Sequence, residues 1–281
     1  MTPPIIRKRS ALRDLATRWK RSGETVGVVP TMGALHQGHL SLVRAAKKEC
    51  DRVIVTVFVN PKQFNSPEDY ENYPRTEEED ARKLTPFEVD AVYAPDGAEI
   101  YPDGFATTVS VSGLTDALCG AHRPGHFDGV ATVVTKLFTQ SMADRAYFGE
   151  KDYQQLQVVT RLSADLDLGT AVVPCPTIRE EDGLAMSSRN LLLSDRARTW
   201  APELNRAMEE MADGLLRGGD FETLKTEAIS RIDRAGFTEV EYLELRSADT
   251  LELLQTADRP ARLLAAAWLA GVRLIDNIAV G

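Results

Sequence analysis

The amino-acid sequence predicts an α/β fold, with a doubly wound parallel sheet and a second, smaller α+β C-terminal domain. Two observations predict it. Up to about residue 176, short apolar runs rich in Val and Ile alternate with segments whose apolar residues recur at helical spacing. After that point, long polar-faced helical segments precede strand-like runs. Alternation of strand and helix is typical of a parallel sheet covered on both faces, whereas helices followed by strands are typical of an α+β domain.

The elements of the first part follow from the hydrophobic pattern. Apolar runs such as Arg52–Val59 predict buried strands, and the apolar spacing of His39–Cys50 predicts a helix. Thr76 and Glu79 match a capping box, which opens a helix that ends before Pro86. The remaining strands are predicted at Thr25–Val29, Val89–Tyr93, Thr107–Val111, Arg145–Phe148 and Ala171–Pro174, and the remaining helices at Asp128–Met142 and Asp152–Leu166.

The second part is predicted to be a separate domain. Its two helices are expected at Asp195–Arg217 and Phe221–Ala235, with a Gly-Gly pair between them. Its strands are expected at Glu239–Arg246, Arg262–Leu269 and Arg273–Ile278. The predicted domains are therefore residues 1–177 and 178–281.

Composition excludes several classes of protein. The chain has 281 residues, of which 43% are hydrophobic and 27% charged, values typical of a globular protein. Its net charge of −9 argues against binding to nucleic acid or to an anionic membrane. Cys50, Cys119 and Cys175 are too far apart for a disulfide framework or a zinc site, and no apolar run resembles a signal peptide. A cytoplasmic protein is therefore expected.

All four histidines lie in two short clusters, 36–39 and 122–126. The first cluster lies between a predicted strand and a predicted helix, where ligands bind in open α/β sheets. Gly33 and Gly38 permit close approach of a ligand, and the N–H groups of the first helical turn suit a phosphate. His36 and His39 are then expected to donate hydrogen bonds to charge that develops on a phosphoryl oxygen.

Two further clusters supply cations for phosphates. The segment 182–190 places Ser187, Ser188 and Arg189 next to one another, and Gly149-Glu-Lys-Asp152 places Lys151 at the end of a predicted strand. Neither of the usual nucleotide-binding signatures, Gly-x-x-x-x-Gly-Lys-Ser/Thr and Gly-x-Gly-x-x-Gly, occurs. However, His-x-Gly-His is similar to the signature of the nucleotidyltransferase superfamily that includes class I aminoacyl-tRNA synthetases. His39, His36, Lys151 and Arg189 are therefore the predicted catalytic residues.

Amide side chains indicate a second substrate. Asn60 and Gln63 follow the strand at Arg52–Val59, and Gln155 lies in the first turn of a predicted helix. Because an amide can both donate and accept, these residues suit a small acid that carries hydroxyl groups.

Taken together, these segments resemble the pantothenate synthetase (pantoate–β-alanine ligase) family. The matching stretches are Pro-Thr-Met-Gly-Ala-Leu-His-Gln-Gly-His (30–39), Phe-Val-Asn-Pro-Lys-Gln-Phe (58–64), Tyr-Pro-Arg-Thr (73–76), Arg-Pro-Gly-His-Phe (123–127), Phe-Gly-Glu-Lys-Asp-Tyr-Gln-Gln-Leu (148–156) and Asp-Gly-Leu-Ala-Met-Ser-Ser-Arg-Asn (182–190). They occur in the family's order, and Leu-Ile-Asp-Asn-Ile (274–278) also resembles its closing strand.

The resemblance implies a Rossmann-like first domain, a smaller C-terminal lid and a homodimer. It also implies a two-step reaction. Pantoate and Mg²⁺-bound ATP first form pantoyl adenylate and pyrophosphate, and β-alanine then attacks the adenylate to give pantothenate and AMP. This reaction belongs to the biosynthesis of pantothenate and coenzyme A.

The resemblance also implies roles for individual residues. His39 is expected to be the proton donor, Gln63 to contact pantoate and β-alanine, and Gln155 to contact pantoate. Asn60 and Arg123 complete the substrate-binding candidates. The expected ATP-binding residues are Pro30, Thr31, Met32, Gly33, Ala34, Leu35, His36, Gln37, Gly38, His39, Gly149, Glu150, Lys151, Asp152, Ile178, Met186, Ser187, Ser188 and Arg189.

This chain departs from the family at two positions beside Arg123. Asp128 stands where many members have Arg, and Cys119 where an acidic residue is common. The acidic run Glu77–Asp80 occupies the place of a family segment near the magnesium, but no metal ligand is assigned from it.

Three alternatives remain open at this point. One is a nucleotidyltransferase that passes AMP to a phosphorylated acceptor. Another is a metal hydrolase with His36, His39, His122 and His126 as ligands, although the sequence has no His-Glu-x-x-His. The last is a nucleotide-binding module without catalytic activity.

Overall fold

The computed structural model describes residues 2–281, which form two compact units. The first unit comprises the chain up to Glu150 together with Gln155–Pro176, and the second comprises Lys151–Gln154 and Thr177–Gly281. No helix within residues 2–281 is both long enough and apolar enough to cross a membrane.

The first unit contains a sheet of six strands, all of whose pairings are parallel, in the order β1-β4-β3-β2-β5-β6. The strands are β1 (Ile5–Ile6), β2 (Val26–Thr31), β3 (Arg52–Val57), β4 (Ala91–Tyr93), β5 (Arg145–Gly149) and β6 (Ala171–Cys175). The central strands β2 and β3 are buried almost throughout, as expected of parallel strands covered on both faces. The predicted α/β class is therefore confirmed.

Eight helices accompany this sheet within the described residues. They are α1 (Arg9–Arg21), α2 (Gln37–Glu49), α3 (Pro67–Glu71), α4 (Glu77–Leu84), α5 (Gly97–Ile100), α6 (Cys119–His122), α7 (His126–Ser141) and α8 (Tyr153–Asp165). Helix α2 buries Leu40, Val43 and Ala46 in the core cluster that also contains Val29 of β2 and Val55 of β3.

The strand order determines where a ligand can bind. Strand β2 lies between β3 and β5, so the chain reverses its direction of travel across the sheet at this point. In doubly wound sheets, ligands bind outside the carboxyl ends of the strands at such a reversal. The segments that begin at Met32 and at Glu150 follow β2 and β5, the two neighbouring strands between which this reversal lies.

The second unit contains an antiparallel sheet in the order β10-β9-β7-β8. Its strands are β7 (Glu239–Ser247), β8 (Leu253–Leu254), β9 (Ala261–Leu269) and β10 (Val272–Val280), and its helices are α9 (Asp195–Trp200), α10 (Glu203–Leu216) and α11 (Phe221–Arg234). Apolar residues of the helices, among them Met208 and Ile232, share one core with Leu245 and Leu263 of the sheet. The predicted α+β architecture is confirmed.

Several predicted elements are wrong. Thr107–Val111 is not a strand, because no described strand lies beside it to complete a ladder. The helix predicted at Asp195–Arg217 ends at Trp200 and restarts at Glu203, since Pro202 has no N–H with which to continue the first helix. The sequence analysis also missed β1 and α1.

Candidate active site

The two histidines of the first cluster cap helix α2. His36 is the N-cap residue, and its Nδ1 accepts a hydrogen bond of 3.2 Å from the N–H of Gly38. The Nδ1 of His39 accepts one of 3.4 Å from the N–H of His36, and the two ring centroids lie 4.1 Å apart. Because Nδ1 accepts in both rings, each neutral ring carries its proton on Nε2. Each Nε2–H is therefore a hydrogen-bond donor.

A buried carboxylate holds the loop before these histidines. Asp80 of helix α4 is fully buried and accepts hydrogen bonds from the N–H groups of Ala34 at 2.9 Å and Leu35 at 2.7 Å. The Thr76 hydroxyl donates to the same carboxylate at 3.0 Å. Gly33 has φ +87°, and a Cβ there would lie 3.1 Å from Asp80 Oδ2, so glycine suits this turn.

The acidic run at Glu77–Asp80 therefore contains a loop-holding residue that sequence reasoning missed. Little in the sequence indicated this role, because Asp80 is one of four consecutive acids and differs from the others in lying on the buried face of a short helix. Two of the other acids in the run have cationic partners, since Glu77 pairs with Arg7 and Glu79 with Lys83.

Gln63 lies in a short 3₁₀ turn after β3 and contacts the first loop. Its Nε2 lies 3.1 Å from the sulfur of Met32, and its Oε1 accepts from Asn60 Nδ2 at 3.0 Å. Asn60 is only 1% exposed, and Nδ2 also donates to the carbonyl of Gly129. Burial raises the pKa of Tyr101, whose neutral hydroxyl donates to Asn60 Oδ1 at 2.7 Å. Asn60 thus orients the Gln63 amide through the hydrogen bond to Oε1.

The second histidine cluster holds the backbone of the same turn. The carbonyl of Gln63 lies 2.7 Å from His126 Nδ1, and it accepts a hydrogen bond from Arg123 at 3.1 Å. Helix α7 packs so closely here that a Cβ on Gly129 would lie 2.2 Å from the carbonyl oxygen of Lys62. The Gln63 turn is therefore fixed by contacts to both its side chain and its backbone.

In the second unit, a small hairpin carries the Ser-Ser-Arg segment. Ile178 accepts a backbone hydrogen bond of 2.9 Å from Met186, and Arg179 pairs with Ala185 in an antiparallel bridge. The Ser187 hydroxyl then accepts from the N–H of Arg189 at 3.2 Å, which caps a 3₁₀ turn. Ser187, Ser188 and Arg189 are all partly buried.

Strand β10 supports both this hairpin and Lys151. The guanidinium of Arg179 pairs with the buried Asp276 at 2.7 Å and 2.9 Å. The neighbouring Asn277 donates from Nδ2 to the carbonyl of Lys151 at 2.9 Å. The sequence predicted a strand at Arg273–Ile278 and a family resemblance at 274–278, but not these contacts. Two polar residues inside an apolar strand were the available signal.

The structure groups the predicted site residues within each unit. In the first unit it brings the His-x-Gly-His loop, Asn60, Gln63 and Arg123 into one connected set through the Met32–Gln63 contact. Gln155 is partly exposed on α8, and its side chain forms no hydrogen bond within residues 2–281. In the second unit, the side chain of Lys151 is 17% exposed, and its Nζ lies 4.0 Å from Oδ2 of Asp152.

The four histidines do not form a metal site. No group of three or more His, Cys, Asp or Glu side chains in the described part of the chain has the geometry to hold a metal ion. His122 is exposed on α6, whereas His126 is buried against the Gln63 turn. Of the departures noted above, Asp128 accepts a hydrogen bond from Ser110, and Cys119 is buried and forms no disulfide within the described residues.

Comparison with known proteins decides between the open alternatives. Residues 4–279 match the family described as pantoate-beta-alanine ligase. The chain belongs to this ligase family. The pantothenate synthetase of Roseobacter denitrificans is 68% identical over 280 residues, which cover 100% of this chain and 99% of that relative. The family and the kind of enzyme predicted from the motifs are therefore confirmed.

Solved structures of the family have the same fold. The crystal structure of pantothenate synthetase from Thermus thermophilus is 46% identical, with a TM-score of 0.90 over 99% of each chain. The pantoate-beta-alanine ligase from Francisella tularensis, complexed with beta-gamma ATP and beta-alanine, is 35% identical, with a TM-score of 0.83 over 98% of this chain and 97% of that one.

Proposed function

We propose that this pantoate–β-alanine ligase condenses pantoate with β-alanine to form pantothenate, and uses ATP to activate pantoate. The observation that carries the proposal is the family match over residues 4–279. The Francisella relative supports the choice of substrates, because it is complexed with a form of ATP and with β-alanine.

The chemistry requires two steps because a carboxylate is a poor electrophile. A carboxylate oxygen of pantoate attacks the α-phosphorus of ATP. The bond between the α-phosphorus and the oxygen that bridges it to the β-phosphorus breaks, and pyrophosphate leaves. The amine of β-alanine then attacks the acyl carbon of pantoyl adenylate. The bond to the phosphate oxygen breaks, AMP leaves, and the nitrogen loses a proton as the amide forms.

His36 and His39 are proposed to stabilise the charge on the phosphates in the first step. Their Nε2–H groups are donors because Nδ1 of each ring is used in the helix cap. Donors held in place before the reaction stabilise developing charge without reorganising. The rest of the loop, from Pro30 to Leu35, is proposed to present its backbone to ATP, with the N-terminus of α2 facing the phosphates.

Lys151 and Arg189 are proposed to balance the negative charge of the same nucleotide. Lys151 suits a phosphate partner because the nearest carboxylate, Asp152, lies at the 4.0 Å limit of an ion pair and is half exposed. Arg189 follows two serine hydroxyls in a capped turn, and its guanidinium offers several donors to phosphate oxygens. The remaining proposed ATP contacts are Gln37, Gly38, Gly149, Glu150, Asp152, Ile178, Met186, Ser187 and Ser188.

Pantoate and β-alanine are proposed to contact Gln63, and Gln155 to contact pantoate. The contact between Gln63 and Met32 supports a place for these substrates next to the ATP loop. Asn60 and Arg123 are proposed to serve the substrates through Gln63, since Asn60 is buried and both residues hold the Gln63 turn.

Magnesium is proposed to enter as part of MgATP. Mg²⁺ in such sites is commonly held by substrate phosphates, waters and one or two carboxylates rather than by a complete protein cage. This fits a chain whose described residues contain no group of three or more metal-ligating side chains.

The proposal includes a homodimer, which a stretch of unpaired backbone supports. Between Ala106 and Val111 the chain has no helix, turn or bend, and within residues 2–281 only the N–H of Val109 in this stretch donates a hydrogen bond. The residues favour a strand, and an exposed strand edge pairs readily with another chain. A second copy would supply the missing strand by twofold symmetry.

Sedimentation equilibrium tests this interface with Thr108→Pro, which removes an exposed N–H that has no partner within the described chain. We expect wild type and the control Thr108→Val to be dimers, and Thr108→Pro to be a monomer. A monomeric wild type would contradict the homodimer. A dimeric Thr108→Pro would contradict this interface.

A cytoplasmic location is also part of the proposal, supported by three buried cysteines that form no disulfide within the described residues. Cell fractionation tests it. The assignment of residues 1–177 to nucleotide and pantoate binding, and of residues 178–281 to a lid, stays a prediction.

The proposed reaction is tested by mass spectrometry of AMP and pantothenate with ATP, Mg²⁺, pantoate and β-alanine, each omitted in turn. We expect both products only in the complete mixture. We also expect pantoate-dependent exchange of pyrophosphate into ATP without β-alanine. Exchange that does not depend on pantoate would contradict the proposed intermediate.

The residue roles are tested by His39→Ala and Lys151→Ala. Loss of one well-placed donor typically costs about 10²–10³-fold in rate, so we expect pyrophosphate exchange to fall by that factor. His122→Ala and Lys48→Ala are matched controls, since both residues are exposed and outside the proposed site. Near-normal exchange in both site variants would overturn the assignment.

A further inference from the structure

Strand β10 carries two adjacent buried polar residues that the proposed chemistry leaves without a role. Asp276 is 5% exposed and Asn277 is 3% exposed. Burial of polar groups is unfavourable unless their hydrogen bonds are satisfied. What these two residues hold in place therefore indicates why they are here.

Asn277 holds the backbone of Lys151. Its Nδ2 donates to the carbonyl of Lys151 at 2.9 Å, and its Oδ1 accepts from Arg262 at 2.9 Å. The guanidinium of Arg262 also lies 4.2 Å from the ring centroid of Tyr153, two residues after Lys151. With Arg262 at the oxygen, the amide nitrogen must face Lys151.

Asp276 holds the base of the Ser-Ser-Arg hairpin. It forms a two-point ion pair with Arg179, whose guanidinium also donates to the carbonyls of Gly183 at 3.1 Å and Asn277 at 3.3 Å. Arg179 directly follows Ile178, which accepts the backbone hydrogen bond from Met186. The ion pair therefore anchors the hairpin that leads into Ser187.

A single rigid strand supports both contacts. Strand β10 pairs with β9 from Val272 to Val280 without a register shift. Because successive residues of a strand point to opposite faces, Asp276 and Asn277 can reach two different segments. Supporting groups of this kind hold reactive side chains in productive geometry.

We propose that Asn277 and Asp276 are positioning residues, which hold Lys151 and the Ser-Ser-Arg hairpin in the geometry needed for adenylation. The inference rests on the proposed function, in which these segments contact ATP. Neither residue is proposed to touch the substrates. Their effect belongs to the first step, because the β- and γ-phosphates are present only before pyrophosphate leaves.

The test compares the two half-reactions in Asn277→Asp. This variant keeps an acceptor for Arg262 but replaces the donor to the Lys151 carbonyl with an oxygen. The first step is measured by pantoate-dependent pyrophosphate exchange at saturating ATP. The second is measured by pantothenate formation from synthetic pantoyl adenylate and β-alanine. The ratio of the two rates does not change with the fraction of unfolded protein.

We expect exchange to fall about 10- to 100-fold, the effect of a displacement near 1 Å, and the second step to change less than about threefold. Asn277→Ala, which also loses the donor, is likewise expected to lose far more activity in the first step than in the second. Ala279→Ser is the control, because Ala279 is exposed on the same strand and its backbone forms no hydrogen bond with either segment. It should match wild type in both steps.

The outcomes separate the inference from the proposed function. Equal losses in both steps, or wild-type exchange in Asn277→Asp and Asn277→Ala, would overturn the positioning role. A wild-type enzyme without pantoate-dependent exchange would instead contradict the proposed function.

Discussion

The two loops proposed to bind ATP are each held by a buried carboxylate, but the two carboxylates act in different ways. Asp80 accepts directly from the N–H groups of Ala34 and Leu35. Asp276 pairs with Arg179, and the guanidinium then donates to the carbonyl of Gly183 in the hairpin. In the first loop, a carboxylate from another helix binds the backbone N–H groups directly. In the second, the carboxylate acts through an ion pair with Arg179 at the start of the hairpin.

The two carboxylates should therefore differ in how much each contributes to the free energy of unfolding and how much to the shape of its loop. Without Asp80, backbone N–H groups lose their acceptor, which costs about 1–3 kcal/mol for an unsatisfied buried group. Without Asp276, a cation with only a quarter of its side chain exposed loses its partner, which costs more. Asp80 should therefore matter chiefly to the shape of its loop, and Asp276 to the stability of its unit as well.

Asp276→Leu is expected to have the largest effect on stability. We expect urea unfolding to show a loss of about 3 kcal/mol, because Arg179 would be left largely buried without a counter-charge. Asp258→Leu is the control, since its ion pair with Arg259 is exposed. A loss below about 1 kcal/mol for Asp276→Leu would remove the contrast between the two loops.

Asp80→Asn is expected to have the next largest effect on stability, with a clear effect on activity. One acceptor becomes a donor that faces backbone N–H groups, so we expect a loss of about 1–3 kcal/mol. We also expect pyrophosphate exchange to fall about 10- to 100-fold as the loop before His36 shifts. The control is Glu78→Gln, an exposed acid on the same helix. Unchanged exchange in Asp80→Asn would show that the loop does not depend on this carboxylate.

Asp182→Asn is expected to have the smallest effect, although it lies in the same hairpin as Arg179. A hydrogen bond from Arg198 lowers the pKa of Asp182, which is about one-third exposed, so the contribution is below about 1 kcal/mol. Because the pKa is lower in the folded state, this stabilisation is present above the unfolded pKa, near 3.9, and is lost as pH falls through the folded value.

The pH dependence of unfolding measures this contribution. The difference in unfolding free energy between wild type and Asp182→Asn should shrink as the pH falls below about 4. A difference that grows with acid would mean that the Arg198 contact does not stabilise the ionised carboxylate.

The elements of this protein that depend on local pattern could be predicted from its sequence. Apolar runs and helical spacing predicted most of the sheet and the helices, because burial selects residues at fixed intervals. The family motifs predicted the ligase, since each is a short contiguous stretch. Local propensity misled at Thr107–Val111, where the residues favour a strand but no described neighbour pairs with them.

The contacts that hold the proposed site join residues that lie far apart in the sequence. Asp80 lies 46 positions from Ala34, and Asp276 lies 97 positions from Arg179. No local pattern links residues so far apart, because the contact depends on how sheets and helices pack. A carboxylate in a charged run or a polar pair in an apolar strand acquires its role only when folding buries it against one specific loop.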